Sequence, residues 1–454
     1  MSPDRFVCTA EQAQAIDRLT QTTDGLTGSH LMQAAGIASS LLIRQHTPVG
    51  TPVIVLAGPG NNGGDGRVVA RILSRSGYPV TVQDMGTDVI WPESGIIVDA
   101  LFGVGLSRDL DSEACALVAR VNASGREVWS LDVPSGLDAT NGVVRGAVVR
   151  ARHTVAMGCY KSGYFSGVGT EVCGELHLLP LGFPPEALET TQVDVFFGED
   201  EMIPVPRTGA HKYEQGIVHV IGGSSGMTGA VVMAANAAWR AGCGAVFAHV
   251  PAGLIPRVEA SLIQQVKEGH GTATDTHFTT AHLPSIREKL ASKPGVVLIG
   301  PGLGSDPATR DFLREILTTD HVQWVIDADA LSYTQGMSFT DAIFTPHTGE
   351  LAKLTGRHVA LWTDRLAATR DLARHSGATV VSKGQPTGII TPDGRARISG
   401  YDTKRFARMG YGDVLAGTIA AFRSFGTHAV DASKRALLAG YTDSLTSNDP
   451  YLPS

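Results

Sequence analysis

Apolar residues in this chain gather in short runs, each closed by glycine or a polar turn residue, and the runs alternate with stretches of helical spacing. The clearest run is Val53-Ile54-Val55-Leu56, which reads as a buried parallel strand. Gly58-Pro59-Gly60-Asn61-Asn62-Gly63-Gly64-Asp65-Gly66 follows and is expected as a turn. After it, Val68, Val69, Ala70, Ile72 and Leu73 recur at helical spacing. A strand, a Gly-rich turn and a helix in that order place backbone N–H groups at the carboxyl edge of a sheet, where α/β proteins bind phosphates and nucleotides. The turn matches neither a Walker A loop nor the usual dinucleotide fingerprint.

The same reading predicts helices over 9–22 and 29–45, the second with Leu31, Met32, Ala35, Ile37 and Leu41 on an apolar face. Strands are expected at 78–83, 94–102, 127–133 and 152–157, and a helix at 112–124. Two of these strands end in aspartate, Asp99 and Asp132, and the last leads to Tyr160-Lys161-Ser162-Gly163. A lone strand-end aspartate is usually a cap or turn former. Two of them beside an Asn-Asn-Gly-Gly-Asp segment point to one converging site. Lys161 could neutralise a phosphate or lie solvated on the surface.

Between 181 and 207 the pattern weakens, and the Pro-rich segments there set an expected domain boundary near Val205. Beyond it, runs at 216–221, 244–250, 296–299, 323–326, 342–345 and 379–382 close in Gly, Asp, His or Lys. A small-residue helix is expected to about Ala241, a hairpin about Asp393-Gly394, and a helical tail behind Gly410-Tyr411-Gly412-Asp413. The fold expected is α/β with two domains. Residues 1–205 would form a Rossmann-like, three-layer, doubly wound sheet, and 206–454 a second α/β domain. The halves share no repeat, only a general α/β style.

Composition narrows the picture. A length of 454 residues suits two domains, and 43% hydrophobic residues are enough for sizeable cores. A net charge of −7 argues against a general nucleic-acid binder. The five scattered cysteines have neither metal spacing nor the look of a disulfide framework. The first residues lack a signal-peptide pattern, and no apolar run reaches about 18 residues, so a soluble cytoplasmic protein without a membrane span is expected.

At this point the motifs resemble a known pair of families. The first half resembles the NAD(P)H-hydrate epimerases through residues 61–66, through Asp99-Ala100-Leu101-Phe102-Gly103-Val104-Gly105-Leu106 and through Asp132-Val133-Pro134-Ser135-Gly136-Leu137. The second half resembles the ADP-dependent NAD(P)H-hydrate dehydratases, a ribokinase-like branch. Its motifs are His211-Lys212-Tyr213, Gly222-Gly223-Ser224, Gly300-Pro301-Gly302-Leu303-Gly304, Asp327-Ala328-Asp329-Ala330-Leu331, Pro346-His347-Thr348-Gly349-Glu350, Lys383-Gly384 and Gly412-Asp413-Val414-Leu415-Ala416-Gly417. Each motif alone is weak; about ten in order are specific.

The resemblance implies that the first domain interconverts the R and S epimers of hydrated NADH or NADPH (NADHX, NADPHX). The second would dehydrate the S form with ADP, releasing AMP and phosphate. It implies substrate contacts at Asn61, Asn62, Gly63, Gly64 and Asp65, at Gly103, Val104, Gly105, Leu106, Ser107, Arg108 and Asp109, and at Asp132, which is the expected acid/base. It implies a potassium ion at Asn62, Asp99 and Ser135, whose hard oxygen donors of low total charge suit a large monovalent cation. In the second domain, hydrate binding is implied at Ala230, Gly302, His347 and Asp413, with Asp413 taking the hydroxyl proton. Nucleotide binding is implied at Lys383, Gly384, Gln385, Pro386, Thr387 and Gly412. Magnesium accompanying ADP could be held through water by Asp327, Asp329 and Glu350, or the two aspartates could only cap a helix. A homo-oligomer is implied as well.

Three departures from the family pattern stand out. Gln33 replaces a usual Glu, Tyr160-Lys161-Ser162-Gly163 replaces Pro-Lys-x-Gly, and Tyr411 replaces the Thr of Gly-Thr-Gly-Asp. Two other readings compete: an ATP-dependent vitamin or sugar kinase with an N-terminal nucleotide-binding domain, and a first domain that binds without catalysing. The first leaves the Asn-Asn-Gly-Gly-Asp segment, Asp99 and Ser135 without a reason. The second would be favoured by loss of Asp65 or Asp132, and both are present.

Overall fold

The structure is a computed structural model, and it describes residues 5–23, 25–87, 90–197 and 215–446. The chain divides into two compact units. One comprises Met1–Val195 with Leu361–Thr363 and Gly400–Asp402; the other comprises Phe196–Ala360, Asp364–Ser399 and Thr403–Ser454. The boundary expected near Val205 and the His211-Lys212-Tyr213 motif lie outside the described residues.

The first unit is built on a six-stranded parallel sheet, in the order Val80–Asp84, Val53–Ala57, Ile96–Ala100, Val128–Leu131, His153–Met157, Glu175–Leu179. The strand Val53–Ala57 is buried along its whole length, as a strand covered by helices on both faces must be. The chain leaves this strand toward one side of the sheet and returns on the other side at Ile96–Ala100. The crevice between their carboxyl ends is therefore a topological switch point.

At this crevice the structure corrects the expected turn. The helix begins at Asn61 and runs to Arg75, so Asn61 to Gly66 form its first turns. The glycines serve close packing inside that helix. A Cβ on Gly63 would meet the Gly58 carbonyl oxygen at 1.9 Å, and one on Gly66 the Ala100 methyl at 2.5 Å. Gly58 itself passes Leu101 so closely that a Cβ would stand 1.9 Å from its carbonyl oxygen.

The helix Gly28–His46 is also corrected. It buries Leu31, Ala35, Gly36, Ser39, Ser40 and Ile43, whereas Ile37 and Leu41 are exposed. Gly36 faces Val68 of the next helix, and a Cβ there would come 2.4 Å from Val68 Cγ1. The buried serines return their hydroxyl protons to the Ala35 and Gly36 carbonyls, which is why polar residues are tolerated on this face. Gln33 lies outside it and accepts a hydrogen bond from Arg71.

The segment that lacked a pattern contains the helix Pro185–Glu189 and the strand Val193–Phe196. A two-stranded pairing of Val7–Cys8 with Tyr160–Lys161 was also not foreseen.

The second unit repeats the plan. Its parallel strands run Val266–His270, Ala245–Pro251, Ile217–Ile221, Val296–Ile299, Gln323–Ile326, Ile343–Phe344, Thr379–Ser382, followed by the antiparallel hairpin Gly388–Ile390 and Ala396–Ser399. Its switch point lies between Ile217–Ile221 and Val296–Ile299. There a Cβ on Gly222 would stand 2.3 Å from the Pro301 carbonyl oxygen, and Gly223 N–H donates to that same oxygen. The two halves thus share a switch-point geometry beyond a general style. The small-residue helix Thr228–Arg240 packs against Tyr411–Ser424 so closely that a Cβ on Gly417 would stand 2.2 Å from the Ala234 carbonyl oxygen.

The Gly36–Val68 approach gives a direct test. Gly36→Ala should destabilise the first unit by about 1–3 kcal/mol through overpacking, read as a lower urea midpoint for loss of amide protection in Val53–Ala57. Val68→Ala in the same chain should recover part of that loss. An unchanged midpoint for Gly36→Ala would show that the two helices can separate freely.

Candidate active sites

At the first unit's switch point, Asp132 stands just beyond the strand Val128–Leu131 with a left-handed backbone, φ 60°, uncommon for a residue with a side chain. Its backbone carbonyl accepts the hydroxyl proton of the buried Tyr164. One carboxylate oxygen lies 2.6 Å from Lys161 Nζ, and the other accepts the Val104 N–H at 3.1 Å. Lys161 is therefore not a surface residue. Its side chain is 2% exposed and also donates to the Met157 carbonyl. Burial opposes the charge on Lys161, but the Asp132 carboxylate and the neighbouring Cys159 and Cys8 sulfurs together outweigh it and hold the ammonium pKa above its usual value.

Gly103 lies against this carboxylate. A Cβ there would be 2.8 Å from Asp132 Oδ2 and 3.4 Å from Asn62 Cγ, so Asn62, Gly103 and Asp132 do converge. Asp65 is buried, and burial, reinforced by the Asp132 and Asp17 charges, raises its pKa to about 8. It is mostly a neutral carboxylic acid at pH 7, able to donate a hydrogen bond. Asp17, on the helix Ala10–Thr23, is raised too, by burial and by Asp132; no local motif marked it in the sequence.

Gly103 to Asp109 form a loop whose members differ. Val104 and Leu106 turn partly into apolar clusters, while Gly105, Ser107, Arg108 and Asp109 are exposed. Asn61 is exposed at the helix start, and Gly63 and Gly64 are packed inside the first turns.

Behind this carboxylate sits a second group. Asp99 is fully buried and accepts hydrogen bonds from Ser135 Oγ at 2.6 Å, Ser135 N–H at 2.9 Å, Ser130 Oγ at 2.8 Å and Leu101 N–H at 3.3 Å. Burial raises its pKa, and these hydrogen bonds offset only part of the rise. Ser135 in turn accepts the Phe102 N–H. Both polar atoms of the buried Asn62 side chain lack a hydrogen-bond partner among the described residues. Cys8 and Cys159 touch through their sulfurs beside Lys161, and all five cysteines are free.

In the second unit, Asp413 lies in the first turn of the helix Tyr411–Ser424, behind Gly410 at φ 90°. Lys383 Nζ bonds Asp327 at 2.9 Å, and a Cβ on Gly412 would stand 3.2 Å from that nitrogen. Burial and the Asp327 charge raise the Asp413 pKa to about 6, with Lys383 opposing them. Burial also opposes the charge on Lys383, but Asp327 and Glu350 outweigh it and raise its pKa.

Asp327 does not cap a helix with its side chain; it accepts from Lys383 and from Thr345 Oγ1. Asp329 accepts the Gly304 N–H and so braces the loop at the switch point. His347 and Glu350 form a reciprocal cap on the helix Thr348–Thr355. His347 Nδ1 accepts from Gly349 N–H, and Glu350 accepts from His347 N–H. That bond places the imidazole proton on Nε2, and the side chain remains 60% exposed.

Gly302 and Ala230 are neighbours, since a Cβ on Gly302 would lie 3.1 Å from the Ala230 methyl. The segment Lys383 to Thr387 is held by its own contacts. Thr387 and Thr403 hydroxyls donate to the Gly384 carbonyl, Gln385 Oε1 accepts from Thr403, and the buried Arg365 donates to the Pro386 carbonyl. Arg365 and Thr403 carried no sequence signal because their role depends on tertiary contact. The Tyr411 ring packs against Phe406, with ring centroids 5.8 Å apart.

Comparison with known proteins fits this division. The family described as NAD(P)H-hydrate dehydratase matches residues 218–450, and that described as YjeF-related protein N-terminus matches 28–93 and 83–163. The chain is similar to the bifunctional NAD(P)H-hydrate repair enzyme Nnr of Salinibacter ruber, with 32% identity over 96% of this chain and 90% of the relative. It is similar also to the enzyme of that name from Moorella thermoacetica, with 30% identity over 93% of this chain and 88% of the relative. Among solved structures, a ribokinase-like superfamily protein from Enterococcus faecalis resembles 58% of this chain, with 92% of its own length covered, 24% identity and a TM-score of 0.49. On the strength of the near full-length relatives, the chain belongs to the family of bifunctional NAD(P)H-hydrate repair enzymes.

Proposed function

We propose that the chain repairs hydrated nicotinamide nucleotides, its first unit as the epimerase and its second as the ADP-dependent dehydratase. Family membership along nearly the whole chain carries this reading, and the chemistry of the two sites supports it. The kinase alternative is not favoured, because it gives the buried Asp132–Lys161 pair of the first unit no task. On the binding-only reading of the first domain, the same pair and the raised Asp65 would have no purpose.

In the epimerase, Asp132 acts as acid/base at C6 of the hydrate. Lys161 and the Val104 N–H fix its two oxygens, so the carboxylate is oriented before substrate arrives. Asp65, neutral at pH 7, supplies a hydrogen-bond donor beside it. The first turns of the Asn61–Arg75 helix offer backbone N–H groups to a phosphate, and the 103–109 loop borders the Asp132 carboxylate through Gly103 and Val104. Asn62, Asp99 and Ser135 suit a potassium ion: the unpartnered, buried amide of Asn62 is a free oxygen donor, and one carboxylate gives the low charge such an ion needs. Potassium would supply charge balance and a fixed anchor for substrate oxygens.

In the dehydratase, the C6 hydroxyl takes the terminal phosphoryl group of ADP, releasing AMP. Expulsion of that phosphate, driven by the ring nitrogen lone pair, and loss of a C5 proton to the departing phosphate or to water then restore the C5–C6 double bond of NAD(P)H. Asp413 removes the hydroxyl proton, and the amides around Gly410 to Gly412 receive the transferring group. Lys383 balances the charge between Asp327 and the phosphates. Ala230, Gly302 and His347 contact the hydrate, and Lys383 to Thr387 hold the nucleotide. Asp327, Asp329 and Glu350 are hard oxygen donors of the kind magnesium prefers, and magnesium would neutralise the ADP phosphates.

With an epimer mixture and ADP, absorbance at the NADH maximum should recover fully. Asp132→Asn should stop the fast recovery at the S fraction while leaving the rate on the S epimer unchanged. Full fast recovery by that variant would remove Asp132 from the acid/base role.

Asp413 must be ionised to accept a proton. Its pKa is raised to about 6, so dehydratase kcat/KM should rise with pH through about 6 and level off above it. Asp413→Asn should lower kcat about 10²–10⁴-fold, the usual weight of general-base catalysis. A profile flat from pH 5 to 8 would contradict the assignment.

Tyr411→Thr should alter the KM for ADP and leave epimerisation untouched, because the ring borders the phosphate loop. If no dehydratase parameter moves, position 411 is neutral.

A further inference from the structure

The amino-terminal edge of the first unit's sheet, the edge opposite Asp132, carries chemistry that neither reaction uses. His153 opens the strand His153–Met157, and Glu175 and His177 lie in the neighbouring strand Glu175–Leu179. The register pairs His153 with Glu175 and Val155 with His177, so all three side chains stand on one face of the sheet. Among the described residues, this is the group whose ligand atoms lie close enough together to share a metal ion, all within 4.8 Å.

The distances are those of a coordination polyhedron. His153 Nδ1 lies 3.0 Å from His177 Nε2 and 3.5 Å from a Glu175 oxygen, and His177 Nε2 lies 3.9 Å from the other Glu175 oxygen. Tetrahedral zinc with bonds of about 2.0–2.1 Å separates its donor atoms by roughly 3.3 Å. His46, the last residue of the helix Gly28–His46, brings a third imidazole, with ring centroids 5.6 Å from His153 and 5.4 Å from His177. Its Nδ1 donates to the Leu42 carbonyl, and the ring borders the cluster without entering the group whose ligand atoms lie within 4.8 Å of one another.

The surroundings fix these donors in place. The buried Trp129 ring stacks on His153 at 4.0 Å and on His177 at 5.5 Å. Glu127 lies 3.7 Å from His153 Nε2, on the side away from the proposed ion, and is held by the Trp129 indole N–H. A carboxylate in that position is the usual outer partner of a metal-bound histidine.

We infer that His153, His177 and Glu175 form a binding site for one divalent transition-metal cation of the zinc class, with water completing its coordination. The ion ties together the amino-terminal ends of the last two strands of the sheet. It lies at the edge away from Asp132, so its role is in stability and not in either reaction. Two imidazole nitrogens and one carboxylate favour zinc or its first-row neighbours over magnesium or calcium.

The test uses the full-length, untagged chain after chelator treatment, titrated with Co²⁺ as a spectroscopic stand-in. One equivalent should produce the visible bands of a four-coordinate ion. Stoichiometric Zn²⁺ should bleach them and raise the first unit's unfolding temperature. Glu175→Gln, at an exposed side chain, should weaken Co²⁺ binding at least tenfold, and His153→Ala with His177→Ala should abolish the bands. Epimerase and dehydratase rates should stay at the parent level. No four-coordinate spectrum, or bands that persist equally in the Glu175 and histidine variants, would overturn the site and leave the His153–His177 contact a plain hydrogen bond. Should the double histidine variant fail to fold, Glu175→Gln alone still decides.

Discussion

The missing side chain of Gly58 is the constraint on which the first site depends. Where the first strand ends, the chain presses against the Leu101 carbonyl with no room for a Cβ. That approach lets the helix start at Asn61 and the loop after Asp99 meet over one crevice. Asn62, Gly103 and Asp132 touch because of it. Gly222 against Pro301 performs the same service in the second unit. A packed interior cannot yield the ångström or more that a methyl group would need, so the carboxyl edge of each sheet is fixed by atoms that are absent.

Both sites gather more carboxylates than lysines, but they pair the lysine differently. In the first, one buried carboxylate meets one buried ammonium, and both are satisfied: Asp132 by Lys161 and Val104, Lys161 by Asp132 and Met157. Breaking such a pair by removing one partner strands the other charge, so its geometry is stiff. In the second, Lys383 lies among several carboxylates and, among the described residues, pairs directly with Asp327. The surplus negative charge adds to burial in raising the Asp413 pKa to about 6, just as the Asp132 and Asp17 charges add to burial at Asp65.

Much of this was legible in the chain. The central strands announced themselves because burial on both faces leaves only apolar residues, as in Val53–Ala57 and Val296–Ile299. The strands Glu175–Leu179 and Val266–His270 escaped notice, since each ends a parallel run and carries polar residues. The helix at Asn61 was mistaken for a turn because glycine is a poor helix former; packing against Gly58 and Ala100 overrides that propensity. The apolar face of Gly28–His46 was misplaced for the converse reason, as buried serines replaced the expected Ile37 and Leu41. Asp132, Asp413 and Lys383 were marked by their strand-end or loop positions. Lys161 was ambiguous, and Asp17, Arg365 and the His153 cluster were silent, because what defines them is proximity across dozens of residues.

The Tyr411–Phe406 ring contact couples two positions that a scan of single substitutions would score separately. Tyr411 opens its helix with its ring against a second aromatic five positions earlier. Shortening Tyr411 alone leaves the Phe406 ring facing a gap, while removing Phe406 alone takes away the tyrosine's packing partner. Residues in direct contact do not contribute additively, so the effect of a change at 411 depends on what stands at 406.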